Sequence, residues 1–273
     1  MSKPYGKAPM MLAEAARSSR PTGGATTPGI DDDARASALA ARVRRTFGMT
    51  PHRRRAALAA AAVIALVWVS AIALRPLGPK INDPLDLAWF GLVQQIRFPA
   101  LTSVSLVIDT VGKAPIDHVV VALAALGLLC SGRLRSGVLL MVAASVDGIQ
   151  VQAVKAIADR LRPEHPLIAT GNASYPSGHT AIAALVAVGI ALALRKRWVW
   201  VCSASAVVLV AFSRTVLNVH WISDVVAGGA LGGATMLLVW SLAPLALADR
   251  PGWRHDALDT QDQRLVASAG TAV

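Results

Sequence analysis

The run AALAAAAVIALVWVSAIAL, residues 56–74, is nineteen residues long and holds no charged side chain. A helix of that length is close to the ~30 Å thickness of a bilayer's hydrocarbon core. The clusters RVRR (42–45) and RRR (53–55) precede it. Arginines on one flank of an apolar run mark a cytoplasmic segment held at an anionic leaflet. Residues 56–74 are therefore expected to be a transmembrane helix.

Five more apolar segments follow, at about 116–131, 136–155, 179–195, 198–214 and 222–247. Of the 273 residues, 54% are hydrophobic and only 16% charged, with a mean hydropathy of +0.51. A soluble domain carries about a quarter charged residues. The pattern predicts an all-α fold, a six-transmembrane-helix bundle. The stretch between the first two spans differs. It holds Pro76, Pro79, Pro84, Pro99 and Pro115, and LDLAWFGLVQQIRFPALTSVSLVIDTVG (85–112) has amphipathic spacing with Trp89 and Phe90. One or two interfacial amphipathic helices are expected there. Residues 1–52 are expected to be a disordered basic cytoplasmic tail, 53–248 the membrane domain, and 249–273 a cytoplasmic C-terminal tail.

The net charge of +11 does not indicate nucleic acid: eleven of the 27 Lys and Arg lie in the first 55 residues, and no recognition motif is present. Cys130 and Cys202 belong to no C-x-x-C pair and are expected to be small apolar packers. Orientation follows from the short connections. SGRLRSG (131–137) and LRKRW (194–198) carry Arg and Lys without acid, so they join the N-terminus on the cytoplasmic face.

The opposite face should then be poor in cations, yet Lys155, Arg160, Arg162, Arg214, His179 and His220 fall at the outer helix ends. Snorkelling accounts for a single such residue. A convergent set from three helix ends asks for an anion, and phosphate is the natural candidate. Lys155 and Arg162 are seven residues apart, near two helical turns, so both can project from one face. Arg160 is expected to be a solvated charge. Ser177 can cap the helix opening near Gly178, whose missing side chain lets an oxyanion approach the free N–H groups of that terminus. His179 sits beside them. In SRTVLNVHWISD (213–224), Asp224 follows His220 by one turn and can fix its tautomer, leaving the other ring nitrogen nucleophilic. Two histidines, one carboxylate and three cations suit phosphoryl transfer, with the cations on the transition-state oxygens. No metal-binding carboxylate cluster accompanies them, so neither metal nor other cofactor is expected.

The segments KAIADRLRP (155–163), YPSGH (175–179) and SRTVLNVHWISD (213–224) resemble the three signature motifs of the type-2 phosphatidic acid phosphatase superfamily, K-x6-R-P, P-S-G-H and S-R-x5-H-x3-D. Every defining position matches in order. The resemblance implies that His220 is the nucleophile of a phosphohistidine intermediate, Asp224 orients it, and His179 protonates the leaving group. It implies that Lys155, Arg162, Arg214, Ser177 and the Gly178 backbone bind the substrate phosphate. The expected protein is a multi-pass plasma-membrane lipid phosphatase working on the extracytoplasmic face, with phosphatidic acid, phosphatidylglycerol phosphate or polyprenyl mono- and diphosphates as candidate substrates. The alternatives are a lipid-phosphate binding or transport protein without turnover, and an oxidoreductase like the vanadium haloperoxidases, soluble relatives of this family. Asn172-Ala-Ser174 fits a glycosylation sequon, and AGGALGG (227–233) suits close helix packing within the chain.

Overall fold

The computed structural model describes residue 37 and residues 49–75, 83–113, 115–171 and 173–243. Most of both expected tails, Pro76, Pro79 and Asn172 lie outside the described residues. Within the unit Thr46–Val273 there are eight helices among the described residues: α1 Pro51–Leu74, α2 Pro84–Ile96, α3 Pro99–Val111, α4 Ile116–Cys130, α5 Leu134–Ala158, α6 Gly178–Leu194, α7 Arg197–Val216 and α8 Ile222–Leu242. Among the described residues, the one isolated β-bridge is antiparallel and joins Leu161 and Ala173.

Helices α1, α5, α7 and α8 are long and apolar enough to cross a membrane. The pair α2 and α3 meets that test jointly but is bent by 118°. Helices α4 and α6 are apolar and shorter, at 15 and 17 residues. The starts are written locally. Proline occupies the first turn of α1, α2 and α3, where its missing N–H has no partner to lose. The Thr50 hydroxyl accepts from Arg53 N at 3.3 Å, and Asp83 Oδ1 accepts from Leu85 N at 2.8 Å. The sharp bend falls at Arg97 and Phe98, both extended, with Pro99 opening the next helix.

The closest packing is α6 on α8. A Cβ on Gly228 would lie 2.3 Å from the Ser177 carbonyl oxygen, and one on Gly232 only 1.9 Å from that of Ala181. Backbone meets backbone there, so the AGGALGG glycines serve contact within the chain. Changing Gly232 to Ala is expected to force the two helices apart and lower the thermal midpoint, at a cost of about 1–3 kcal/mol. Gly233→Ala, which meets nothing closer than Val188 Cγ2 at 3.7 Å, is the control that should melt like the parent. The core on either side of this seam joins Leu140, Leu185 and Met236 in one cluster and Val67, Val154 and Leu231 in another.

At the end of the bundle holding the 131–137 turn, arginines satisfy helix C-termini. Arg53 Nη2 donates to Trp240 O at 2.9 Å and to Ala243 O. Arg133 Nη1 donates to Ala193 O at 2.6 Å. Arg135 Nη2 donates to Trp240 O at 3.1 Å, its guanidinium 4.4 Å from the Trp240 ring centroid. These carbonyls have no partner inside their own helices. The basic residues assigned to one face by sequence thus gather at one end. Cys130 and Cys202 depart from expectation: both are exposed rather than packed in the core.

Candidate active site

Helix α5 ends where Asp159 turns left-handed at φ 42°, releasing a loop across the opposite end of the bundle. Lys155 stands in the last turn of α5, and Arg160 and Arg162 open the loop. Helix α6 begins at Gly178, α7 delivers Arg214 near its end, and the turn 217–221 carries His220 into α8. Lys155, Arg162, Gly178, His179, Arg214 and His220 line one cavity of about 950 Å³. Ser177 and Asp224 lie behind its wall, both at 0% exposure.

His220 Nδ1 is 3.5 Å from Asp224 Oδ2, and its Nε2 is 3.3 Å from Arg162 Nη1. A guanidinium can only donate, so this geometry assigns the lone pair to Nε2 and the proton to Nδ1. Burial pushes the imidazole down to about 4; the Asp224 carboxylate pulls it up, while Arg162 and Lys155 add to the downward push. The ring is therefore neutral at neutral pH. Asp224 also accepts from Trp221 N at 2.8 Å, fastening the start of α8.

His179 Nε2 is 3.5 Å from Asp109 Oδ1. A Cβ on Gly112 would lie 2.3 Å from the His179 ring, so only glycine there leaves the ring its place. Arg214, 1% exposed, donates from Nη1 to Asp109 Oδ1 at 2.7 Å, and Asp109 also pairs with Lys113 at 2.5 Å. Among the described residues, Arg214 Nε and Nη2 have no hydrogen-bond partner. Lys155 Nζ donates to Ala173 O at 3.0 Å. Arg162 holds the loop through Gly171 O at 2.6 Å, Ala173 O at 3.1 Å and Val219 O. Of its five N–H groups, these bonds and the His220 contact leave one for a ligand among the described residues.

Residues 136–247 match the PAP2 superfamily model, and that range contains Lys155, Ser177, Gly178, His179, Arg162, Arg214, His220 and Asp224. Over these residues the chain resembles the PAP2 superfamily. Undecaprenyl-diphosphatase of Sulfolobus acidocaldarius is 26% identical over 177 residues, covering 62% of this chain and 84% of its own length. Lipid A 1-phosphatase of Porphyromonas gingivalis is 30% identical over 179 residues, 63% of this chain but only 39% of its own. The crystal structure of a transmembrane PAP2-type phosphatidylglycerolphosphate phosphatase from Bacillus subtilis aligns with a TM-score of 0.55 at 25% identity, over 65% of this chain and 94% of that one. Aquifex aeolicus LpxE shares the fold at a TM-score of 0.52 and 20% identity, over 59% and 97% of the two chains.

Three details of this candidate site differ from expectation. Arg160 is not solvated: it is 3% exposed, with Nη1 on Asp224 Oδ1 at 2.8 Å and Ser223 Oγ at 2.7 Å, and Nη2 on Asp86 Oδ2 at 2.6 Å. Asp86 in turn accepts from Ser223 N and Oγ. An Asp86–Arg160–Asp224 chain thus stands behind His220. Ser177 occupies the N-cap position of α6, but its hydroxyl makes no capping bond. It accepts from Thr180 Oγ1 at 3.1 Å, and its backbone N–H donates to Asp224 O at 3.0 Å. Around Gly178, a Cβ would meet only Val151 Cγ1 at 3.6 Å, so the protein itself does not demand glycine there. Asp86 and Asp109 went unrecognised in the sequence because acids in an amphipathic stretch look like surface charges. The available signal was their place on helices apolar enough to form a bent span.

A second cavity of about 570 Å³ adjoins the first, sharing Gly112, Asp117, His179 and Ile182 with it. Its remaining wall is almost wholly apolar, including Val107, Val111, Val186, Ile190 and Val210 from α3, α6 and α7.

Proposed function

We propose that this protein is a membrane lipid phosphatase that moves the phosphoryl group of a lipid phosphate onto His220 and then onto water. The observation that carries the reading is Arg214: a buried guanidinium in the cavity wall, with Nε and Nη2 unpaired, beside two histidines. A buried donor pair without partners is costly, and a phosphate oxygen satisfies both at once. Lys155, the free N–H of Arg162 and the Gly178 backbone complete the cradle, while Ser177 supports it from behind. The cradle stabilises the charge on the equatorial oxygens in the transition state.

In the first step, Nε2 of His220 forms a bond to phosphorus as the bond from phosphorus to the lipid oxygen breaks. His179 gives its proton to that oxygen, and Asp224 holds the Nδ1 proton of the phosphorylated ring. In the second step His179 takes a proton from water, whose oxygen displaces His220 and leaves as inorganic phosphate. The lipid's hydrocarbon chain lies in the apolar cavity beside His179, where hydrophobic burial holds it. The candidate substrates are phosphatidic acid, phosphatidylglycerol phosphate and polyprenyl mono- or diphosphates. We place α1, α4, α5, α6, α7 and α8 as the six spans of a plasma-membrane topology, with α2 and α3 as interfacial helices between the first two, both termini cytoplasmic and the site extracytoplasmic. The basic end of the bundle supports this orientation.

The test is phosphate release by the purified protein from a panel of these lipids in the presence of EDTA. Release from at least one lipid, undiminished by the chelator, is expected; none from any would overturn the proposal. The pH profile adds a second readout. With His220 held at about 4, its lone pair is free above that pH and lost as the pH falls through it. Measured with two substrates whose own ionisations differ, the acid limb of kcat/KM that belongs to the enzyme should sit near pH 4. A limb near 6.5 shared by both substrates would contradict the buried, neutral ring.

A further inference from the structure

Asp147 lies within membrane-spanning helix α5, eight residues before Lys155, which is about 12 Å deeper along the axis. It is 2% exposed and lines the same cavity as the two histidines. Its Oδ1 has no hydrogen-bond partner among the described residues. The other buried acids of this region are all satisfied: Asp86 and Asp224 by Arg160, and Asp109 by Arg214 and Lys113. Nearby on α5, Gln150 is also engaged, donating to Thr235 Oγ1 at 3.0 Å. Asp147 alone offers an unused carboxyl to the cavity, at a depth where an unpaired polar group is costly and marks function. Ser145 and Gln152 line the same wall, which makes it polar, whereas the adjoining cavity is hydrocarbon-like.

We infer that Asp147 is a second recognition point for the substrate, selecting lipid phosphates that carry an ester, amide or hydroxyl group below the phosphate over prenyl phosphates. The inference rests on the lipid phosphatase proposal and narrows its substrate class. A prenyl chain offers only hydrocarbon beyond its phosphate and would leave Asp147 unpaired. A glycerolipid or acylated sugar brings hydroxyl or amide donors, which a carboxylate accepts from, and ester carbonyls, which accept from the protonated carboxyl, into the linkage region that passes this wall. Sites that hydrogen-bond a substrate discriminate strongly against analogues lacking the bond, because the site's own group is stranded.

The experiment compares the full chain with Asp147→Leu and Asp147→Asn, on phosphatidylglycerol phosphate and on a polyprenyl monophosphate at matched detergent dilution. Asp147→Leu should lower kcat/KM on the ester lipid tenfold or more, mainly through KM, and leave the prenyl substrate within twofold. Asp147→Asn, which keeps hydrogen-bonding capacity, should stay within threefold on both. Equal losses on both substrates would assign Asp147 to structure, and no loss on the ester lipid would leave it to water; either overturns the inference. A wild type that releases phosphate from neither of these, nor from any other lipid of the panel, overturns the phosphatase proposal instead. Asp147 is then decided by binding, as the thermal shift given by each lipid. A larger shift with the ester lipid that disappears in Asp147→Leu supports the inference, and equal shifts sink it.

Discussion

Replacing His220 by alanine is expected to abolish phosphate release, with kcat falling by roughly 10⁴-fold or more. The magnitude follows from the cavity's contents. Its wall offers one neutral imidazole whose Nε2 lone pair faces the anion cradle and whose Nδ1 is backed by a carboxylate. Of the other rings in this wall, His179 stands against Asp109, placed to handle a proton, while His118 pairs with Asp117. The two histidines are told apart by what accumulates. With labelled substrate and rapid base quench, His179→Ala should retain a base-stable, acid-labile phosphoprotein. His220→Ala should give none. Phosphate release by His220→Ala above about a hundredth of the parent rate, or the same phosphoprotein in that variant, would remove His220 from its assigned role.

The second large effect is expected at Asp224, proposed to act through His220 as a positioning residue. Asp224→Asn should lower kcat by about 10³–10⁴ while KM changes little, by analogy with carboxylates that fix a catalytic tautomer. The asparagine amide can donate to Nδ1, which moves the ring proton to Nε2, the atom that must attack. In a single turnover the phosphohistidine should then form slowly, although lipid binding is normal. Asp224→Ala differs in kind. It removes the acceptor for Trp221 N and leaves Arg160 with Asp86 as its remaining carboxylate, so stability should fall by about 3–5 kcal/mol. Normal phosphohistidine formation in folded Asp224→Asn would limit this residue to a structural part.

Much of this protein was legible in the sequence because the bilayer restricts what a chain can do. Six apolar segments were expected, and each coincides with a helix to within a few residues; the segment expected at 136–155 is α5, Leu134–Ala158. The three motifs were legible because their residues violate the charge pattern of a membrane protein. Arg160 defeated the same logic. Its partners Asp86 and Asp224 lie 74 and 64 residues away, and no local pattern brings those three together. Ser177 was expected to cap by its hydroxyl, yet the neighbouring Thr180 claims that oxygen, a competition between side chains that spacing does not reveal. One or two amphipathic helices were expected at 85–112, and α2 and α3 lie there. The 118° bend between them and the burial of Asp86 and Asp109 at 1% and 2% depend on distant partners that local spacing does not show.

The glycine seam between α6 and α8 reaches beyond packing. Gly228 rests on the Ser177 backbone two residues before His179, and Ser177 N donates to Asp224 O, four residues before that glycine. His179 and His220, the rings proposed to handle the proton and to accept the phosphoryl group, are therefore mounted on a single body gauged by main-chain atoms. If a change in bilayer thickness tilts that body as a whole, the gap between the two rings is expected to keep its width.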